Sequence, residues 1–212
     1  TNAYQENRNL LLSKTAHETQ GGVFYAEAGT ATEGHFGVRQ GGRFGDTGAF
    51  RVYAKHAEYD STLNADGVDD DLDPWRFTQM GFRADWGVAE HSEWTLQGDA
   101  FRGDYRAGAG PGVRNDGANT LLRWRRHLSP ESQLTARIFH DYTERDTQGA
   151  VTETLRTTDL EIQHRLSFGG NQELVWGGNY GAMRDHVEDT AGFVILPARL
   201  NFDLGGIFFQ HE

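Results

Sequence analysis

Long period-two runs, joined in turn by tight turns and by longer polar stretches, predict an all-β fold. The expected architecture is an antiparallel up-and-down transmembrane β-barrel, incomplete, with about ten strands of a larger barrel. Apolar residues recur at every second position over runs long enough to cross a bilayer when tilted. The connections are short on one side of the sheet and long on the other, as in outer-membrane barrels. Tryptophans sit near the ends of the runs, where the two membrane interfaces favour them.

Residues 1–9 show no clean alternation. Leu10-Leu11-Leu12 followed by Ser13-Lys14 reads as a short strand entering a linker, which Gln20-Gly21-Gly22 ends. Four pairs of runs then meet at turns: 35–57 around Gly41 to Gly48, 75–104 around Gly87 to Ser92, 118–142 around Ser129-Pro130, and 157–182 around Gly169-Gly170. In run 76–86, Thr78, Met80, Phe82, Ala84 and Trp86 share one face, and Gln79, Gly81, Arg83 and Asp85 the other. Trp94, Leu96, Gly98 and Ala100 repeat the apolar face in the next run, opposed by Thr95, Gln97 and Asp99. Run 133–143 sets Leu134, Ala136, Ile138, His140 and Tyr142 against Thr135, Arg137 and Asp141, with Phe139 as the exception. Run 159–168 sets Leu160, Ile162, His164, Leu166 and Phe168 against Glu161, Gln163, Arg165 and Ser167. In the last run, Leu200, Phe202, Leu204, Gly206 and Phe208 are expected on the apolar face and Asn201 and Asp203 on the polar one. Each run is near the roughly 9–11 residues of a tilted spanning strand. Trp86, Trp94 and Trp176 adjoin the short turns and Trp75 the opposite interface, so two aromatic girdles are expected.

The polar faces carry Arg83, Arg123, Arg125, Arg137 and Arg165, which suits a hydrated lumen. A soluble β-sandwich would use strands of about five or six residues. Strand pairs begin near 75, 118, 157 and 198, a spacing close to that of propeller blades. A blade packs four short strands into that length, whereas two long ones fill it here, so the propeller is set aside.

No run of about 18 apolar residues occurs, which excludes a transmembrane helix and leaves a barrel open. Zero Cys excludes disulfides, thiol catalysis and Cys-ligated metal sites. A net charge of −11 argues against a general nucleic-acid partner. The chain opens on Thr1, carries no leader segment and stops inside a run at Glu212, so it reads as an internal fragment.

Motifs for catalysis are lacking. The nine His form no H-E-x-x-H and no strand pair at i, i+2, and no G-x-S-x-G is present. The acidic stretch 64–73 concentrates carboxylates, and Asp66, Asp69, Asp70, Asp71 and Asp73 are candidate calcium ligands. It lacks the EF-hand spacing, and a solvated acidic loop is the favoured reading. No other cofactor is expected, and neither is an enzyme.

Several segments, taken in order, resemble TonB-dependent outer-membrane receptors. Leu11-Leu12-Ser13-Lys14-Thr15-Ala16-His17-Glu18-Thr19-Gln20-Gly21-Gly22 is similar to that family's junction between the last plug strand and the barrel. His35-Phe36-Gly37-Val38-Arg39-Gln40-Gly41-Gly42 and Phe50-Arg51-Val52-Tyr53-Ala54-Lys55 resemble its second and third barrel strands. Trp75-Arg76-Phe77 through Gly81-Phe82-Arg83-Ala84-Asp85-Trp86 resembles the fourth, Leu96-Gln97-Gly98-Asp99 the fifth, and Phe208-Phe209-Gln210-His211-Glu212 a later one.

The resemblance implies residues 1–20 as the end of a plug and its linker, and 21–212 as the N-terminal part of a barrel of roughly twenty-two strands. It implies a bacterial outer-membrane location and energised uptake of a scarce nutrient, such as a ferric siderophore or similar metal chelate. The implied partners are outer-membrane lipid, the plug, the remaining barrel strands, the TonB complex and the small chelate ligand. Short turns would be periplasmic and the connections 61–74, 106–117, 144–155 and 186–197 extracellular. In or beside those loops Arg106, Arg114, Tyr142, Arg145 and Arg184 are the candidate ligand contacts. A passive porin, an adhesive barrel and a soluble carbohydrate-active β-protein remain as alternatives.

Overall fold

A computed structural model describes residues 14–29, 32–61, 73–88, 91–106, 110–189 and 194–212. Among them there are ten strands and no helix: β1 (Gly21–Glu27), β2 (Thr32–Phe44), β3 (Gly48–Tyr59), β4 (Trp75–Val88), β5 (Ser92–Tyr105), β6 (Val113–Ser129), β7 (Ser132–Thr147), β8 (Val151–Phe168), β9 (Gln172–Asp189) and β10 (Arg199–His211). They form one up-and-down sheet in chain order, each strand antiparallel to the next.

Directly opposed residues share a face, so the registers sort every side chain. One row reads Ala49, Asp85, Thr95, Arg123, Arg137, Glu161 across β3 to β8. On the other face a row reads Ala84, Leu96, Leu122, Ile138, Leu160, Tyr180 across β4 to β9. Residues 14–20 lie against the polar row, which makes that face the inner wall. The outer face displays Phe24 at 72% exposure and Ile162 at 59%. Water would penalise such a surface by about 25 cal/mol per Å² of apolar area. A lipid annulus removes that penalty. Trp86, Trp94 and Trp124 stack on this face at centroid distances of 6.1 and 6.0 Å. Trp176 lies near the same turn-side edge, against His164 at 5.5 Å. These four form the girdle expected near the short turns.

Three expectations need correction. First, the strands overshoot the bilayer: β6 to β9 hold 17, 16, 18 and 18 residues. Much of 106–117, 144–155 and 186–197 is therefore strand, and β7 joins β8 through a tight turn at 148–150. Its Gly149 supplies the left-handed φ of 72° that a side chain resists. Polar residues continue the ladder here because strand pairing above the lipid needs no apolar alternation. Second, Trp75 is not in an outer girdle. It pairs with Tyr59 and Tyr105, and so faces the inner wall. Third, β10 is inverted. Leu200, Phe202, Leu204 and Phe208 pair with Asp185, Met183, Gly181 and Gly177 on the inner face, leaving Asn201 and Asp203 outside. Packing gives the reason: Phe208 fills the space beside Gly177, where an added Cβ would meet its ring at 2.7 Å. Outside, Asp203 accepts from Tyr180 Oη at 2.8 Å and Arg184 Nη2 at 2.7 Å.

Candidate functional site

The inner wall has two built zones. At the end that holds the short turns, residues 14–20 fold into one compact turn. Thr15 and Glu18 bond reciprocally: Thr15 N donates to Glu18 Oε2 at 2.8 Å, and Glu18 N to Thr15 Oγ1 at 3.3 Å. This is the Thr-x-x-Glu capping box, used here to close a turn and not to start a helix. Donation from the Thr15 backbone and hydroxyl holds the Glu18 carboxyl below its usual range. Thr19 Oγ1 and Gln20 Nε2 close the turn onto the Thr15 and Ala16 carbonyls at 3.0 and 2.7 Å.

That turn is clamped to the wall. Ala16 N donates to Asp85 Oδ2 at 2.7 Å, and Arg51 Nη1 donates to the Lys14 carbonyl at 2.8 Å. The Thr19 carbonyl passes so near Gly41 that an added Cβ there would lie 2.1 Å from it. Ala16 is wholly buried and Thr19 nearly so.

Asp85 is the centre of the clamp. Arg83 reaches it through Nε at 2.7 Å and Nη2 at 3.0 Å, a fork that matches a carboxylate. Thr95 Oγ1 donates to Asp85 Oδ1 at 2.7 Å and accepts from Arg123 Nη2 at 3.1 Å. Arg83 Nη1 also donates to Gln97 Oε1 at 3.3 Å. The Arg83 and Asp85 side chains are only 5% and 12% exposed, so this pair is desolvated. Further along the wall, Tyr53 and Gln79 both donate to Asp99. Arg39 Nε and Arg137 Nε are buried on the wall with no hydrogen-bond partner.

At the far end of the wall lies an aromatic zone. Tyr59 and Trp75 stack with centroids 4.2 Å apart, and Phe77 and Phe101 with centroids 5.8 Å apart. Gly117 makes room for Phe101, whose ring an added Cβ would meet at 2.4 Å. Cations border the aromatics: Lys55 Nζ lies 5.8 Å from the Phe77 centroid, and Arg145 Nη2 donates to Tyr105 Oη at 3.4 Å. Trp75, Phe77, Phe101, Tyr105 and Arg106 line an open hollow of about 470 Å³. The rim is mixed in charge, with Arg76 and Arg106 beside Asp73 and Asp104.

No protein-family model matches the chain, and no curated protein matches it in sequence. Among solved structures, the siderophore receptor PirA from Pseudomonas aeruginosa matches with a TM-score of 0.63 at 12% identity. The match covers 94% of this chain and 36% of that one. OmpT, an outer-membrane protein of Vibrio cholerae, matches with a TM-score of 0.46 at 10% identity, over 89% of this chain and 64% of that one. That superposition is too loose to argue from. The fold is that of an outer-membrane β-barrel. The chain spans just over a third of the length of PirA, and at such identity the likeness speaks for the fold alone.

Within this barrel wall the five candidate ligand contacts separate. Arg106 follows β5, bonded through its N–H to the Pro74 carbonyl at 3.4 Å, and lines the hollow. Arg145 lies in β7, opposite Asn115 and Glu153 on the inner face. Arg114, Tyr142 and Arg184 lie within β6, β7 and β9 on the outer face, where they contact Asp104, Glu144 and Asp203. None of these three reaches the hollow. Of the calcium candidates, Asp73 lines the hollow, and Asp66, Asp69, Asp70 and Asp71 lie outside the described residues, as does the Leu10-Leu11-Leu12 strand. No group of three metal-ligating side chains occurs among the described residues.

The clamp and the aromatic hollow were not anticipated from the sequence, although signals existed for both. Thr15-Ala16-His17-Glu18 has the capping-box spacing. Glycines within strands, such as Gly41 and Gly117, mark close approach of backbone or ring.

Proposed function

We propose that the chain is the N-terminal part of the barrel of a TonB-dependent receptor. That receptor takes up a scarce nutrient, most simply a ferric siderophore or similar anionic chelate, by an energised route and without chemistry on it. The observation that carries this reading is the clamp. Residues 14–20 rest inside the wall, bound through Ala16 to Asp85 and through Lys14 to Arg51, as the end of a plug linker would. A plug ending in residues 1–20 would occupy that space. The connections at the clamp end are all short, whereas 60–74, 106–112 and 190–198 at the other end are longer. Barrels of this kind keep short turns in the periplasm and long loops outside. The aromatic hollow then opens to the exterior, where ligand would first be met.

Uptake of radiolabelled ferric chelates by cells with and without the complete gene tests this. Loss of accumulation in the deletion strain, and its abolition in wild-type cells when a protonophore collapses the proton gradient, is the expected outcome. Accumulation that is gene-dependent yet indifferent to the gradient would sink energised transport and favour a passive pore.

A further inference from the structure

Outward arginines at the loop end of the sheet are mostly paired. Arg76 and Arg114 hold Asp104 at 3.2 and 3.1 Å, Arg102 holds Asp116 at 2.5 Å, and Arg184 holds Asp203 at 2.7 Å. Arg156 has no carboxylate partner among the described residues. Its guanidinium lies over the Tyr142 ring, 5.6 Å from the centroid, and the side chain is exposed. It also stands directly opposite Arg184. Like charges facing each other across a strand pair repel; Asp203 offsets Arg184, and a further anion between the two arginines would lower the repulsion that remains. Arg184 is held in place by Asp203 and by the Met183 and Phe202 carbonyls at 2.9 and 3.2 Å. The Arg156 fork, steadied by Tyr142, keeps its donors available.

The height of this pair identifies the anion. Up the outer face β8 presents Ile162, Leu160 and Thr158 before Arg156, and β9 presents Trp176, Gly178, Tyr180 and Ala182 before Arg184. Both strands thus turn from lipid-facing to cationic at the same rung, about 27 Å along β9 from Trp176 at about 3.4 Å per residue, which on a tilted strand brings it toward the outer edge of the apolar band. Lipid headgroup phosphates lie at that level, and cations beside the apolar band attract them. A guanidinium fork matches phosphate oxygens. We propose that Arg156 and Arg184 bind the phosphate of an outer-leaflet lipid headgroup on the barrel's outer face. Only the orientation of the barrel is assumed, and nothing about what the lumen carries.

The test uses the complete protein in dodecyl maltoside micelles. It is titrated with dioleoyl phosphatidic acid, dioleoyl phosphatidylcholine and inorganic phosphate, and bound lipid is counted by native mass spectrometry. Phosphatidic acid is expected to bind at least about ten-fold more tightly than phosphatidylcholine. Arg156→Gln is expected to erase that preference and Arg156→Lys to reduce it in part, while Arg114→Gln, at an arginine paired elsewhere, leaves it intact. The lysine variant retains the charge and decides the matter if the glutamine variant folds poorly. Phosphatidic acid binding unchanged in the Arg156 variants overturns the proposal. So does displacement of phosphatidic acid by an equal concentration of inorganic phosphate, since the site would then serve a free anion.

Discussion

Asp85→Ala removes the acceptor on which residues 14–20, β4 and β5 converge. Four hydrogen bonds end on this carboxylate, from Arg83 twice, from Thr95 and from Ala16 N. The Ala16 bond is charge-assisted and buried, and such a bond contributes about 1.5–3 kcal/mol. At 1.4 kcal/mol per factor of ten, its loss should speed local opening of residues 14–20 by about ten- to 150-fold. The Arg83 side chain also loses its bidentate carboxylate at 5% exposure, and breaking such a buried pair costs about 3–5 kcal/mol. Hydrogen exchange of the complete protein in detergent reads the first effect in the peptide covering 15–20. Trypsin reads it as faster cleavage after Lys14, whose carbonyl Arg51 holds at 2.8 Å. Asp85→Asn retains an amide oxygen for Ala16 N and should fall between wild type and Asp85→Ala. Exchange and cleavage rates unchanged in Asp85→Ala would refute the claim that Asp85 seats residues 14–20.

Gly41→Ala forces a Cβ to within 2.1 Å of the Thr19 carbonyl, which is backbone and cannot rotate away. It should release residues 14–20 as Asp85→Ala does, with the same exchange readout, while Gly205→Ala, with its nearest atom at 3.8 Å, should not. Glu18 titrates below the usual glutamate range because Thr15 donates to its carboxylate. A group whose folded pKa is depressed contributes stability above its unfolded pKa and loses it as pH falls through the folded one. Protection of 15–20, taken relative to the intrinsic exchange rate at each pH, should therefore fall on acidification past the usual glutamate range, and Glu18→Gln should flatten that response. Leu160→Arg sets a charge amid the outer apolar band, beside Ile138 and Tyr180, and should cost about 2–4 kcal/mol in denaturant unfolding from lipid vesicles. A neutral effect there would argue against lipid contact.

Fold class was legible in the sequence because period-two alternation survives in every spanning strand from β4 to β9. Ile138, Leu160 and Ile162 fall where alternation predicts, and so do Arg83, Asp85 and Arg137. Strand ends were not legible. Beyond the lipid the ladder continues through polar residues such as Arg145, Asp146, Thr152 and Glu153, which look like loop when only hydropathy is followed. The face of β10 was not legible either, because both of its faces carry large apolar groups: Phe202 and Leu204 inside, Ile207 and Phe209 outside. Only pairing with the glycines of β9 decides between them. For the site, charge and exposure suggested Arg114, Tyr142 and Arg184, yet an odd or even place in the strand sends each of them outward. Trp75 illustrates the converse. As a membrane anchor it satisfied the sequence, but its register opposite Tyr59 puts it in the inner hollow.

The most direct test asks which face of β8 meets lipid. The chain has no Cys, so single cysteines at 157–166 of the complete protein in bilayers can each carry a nitroxide label without a competing thiol from this segment. Relaxation by lipid-soluble oxygen should peak at 160 and 162, and relaxation by a water-soluble nickel chelate at 159, 161 and 163. Profiles that fail to alternate, or that alternate in the opposite phase, would contradict a barrel wall whose polar face lines a hydrated lumen.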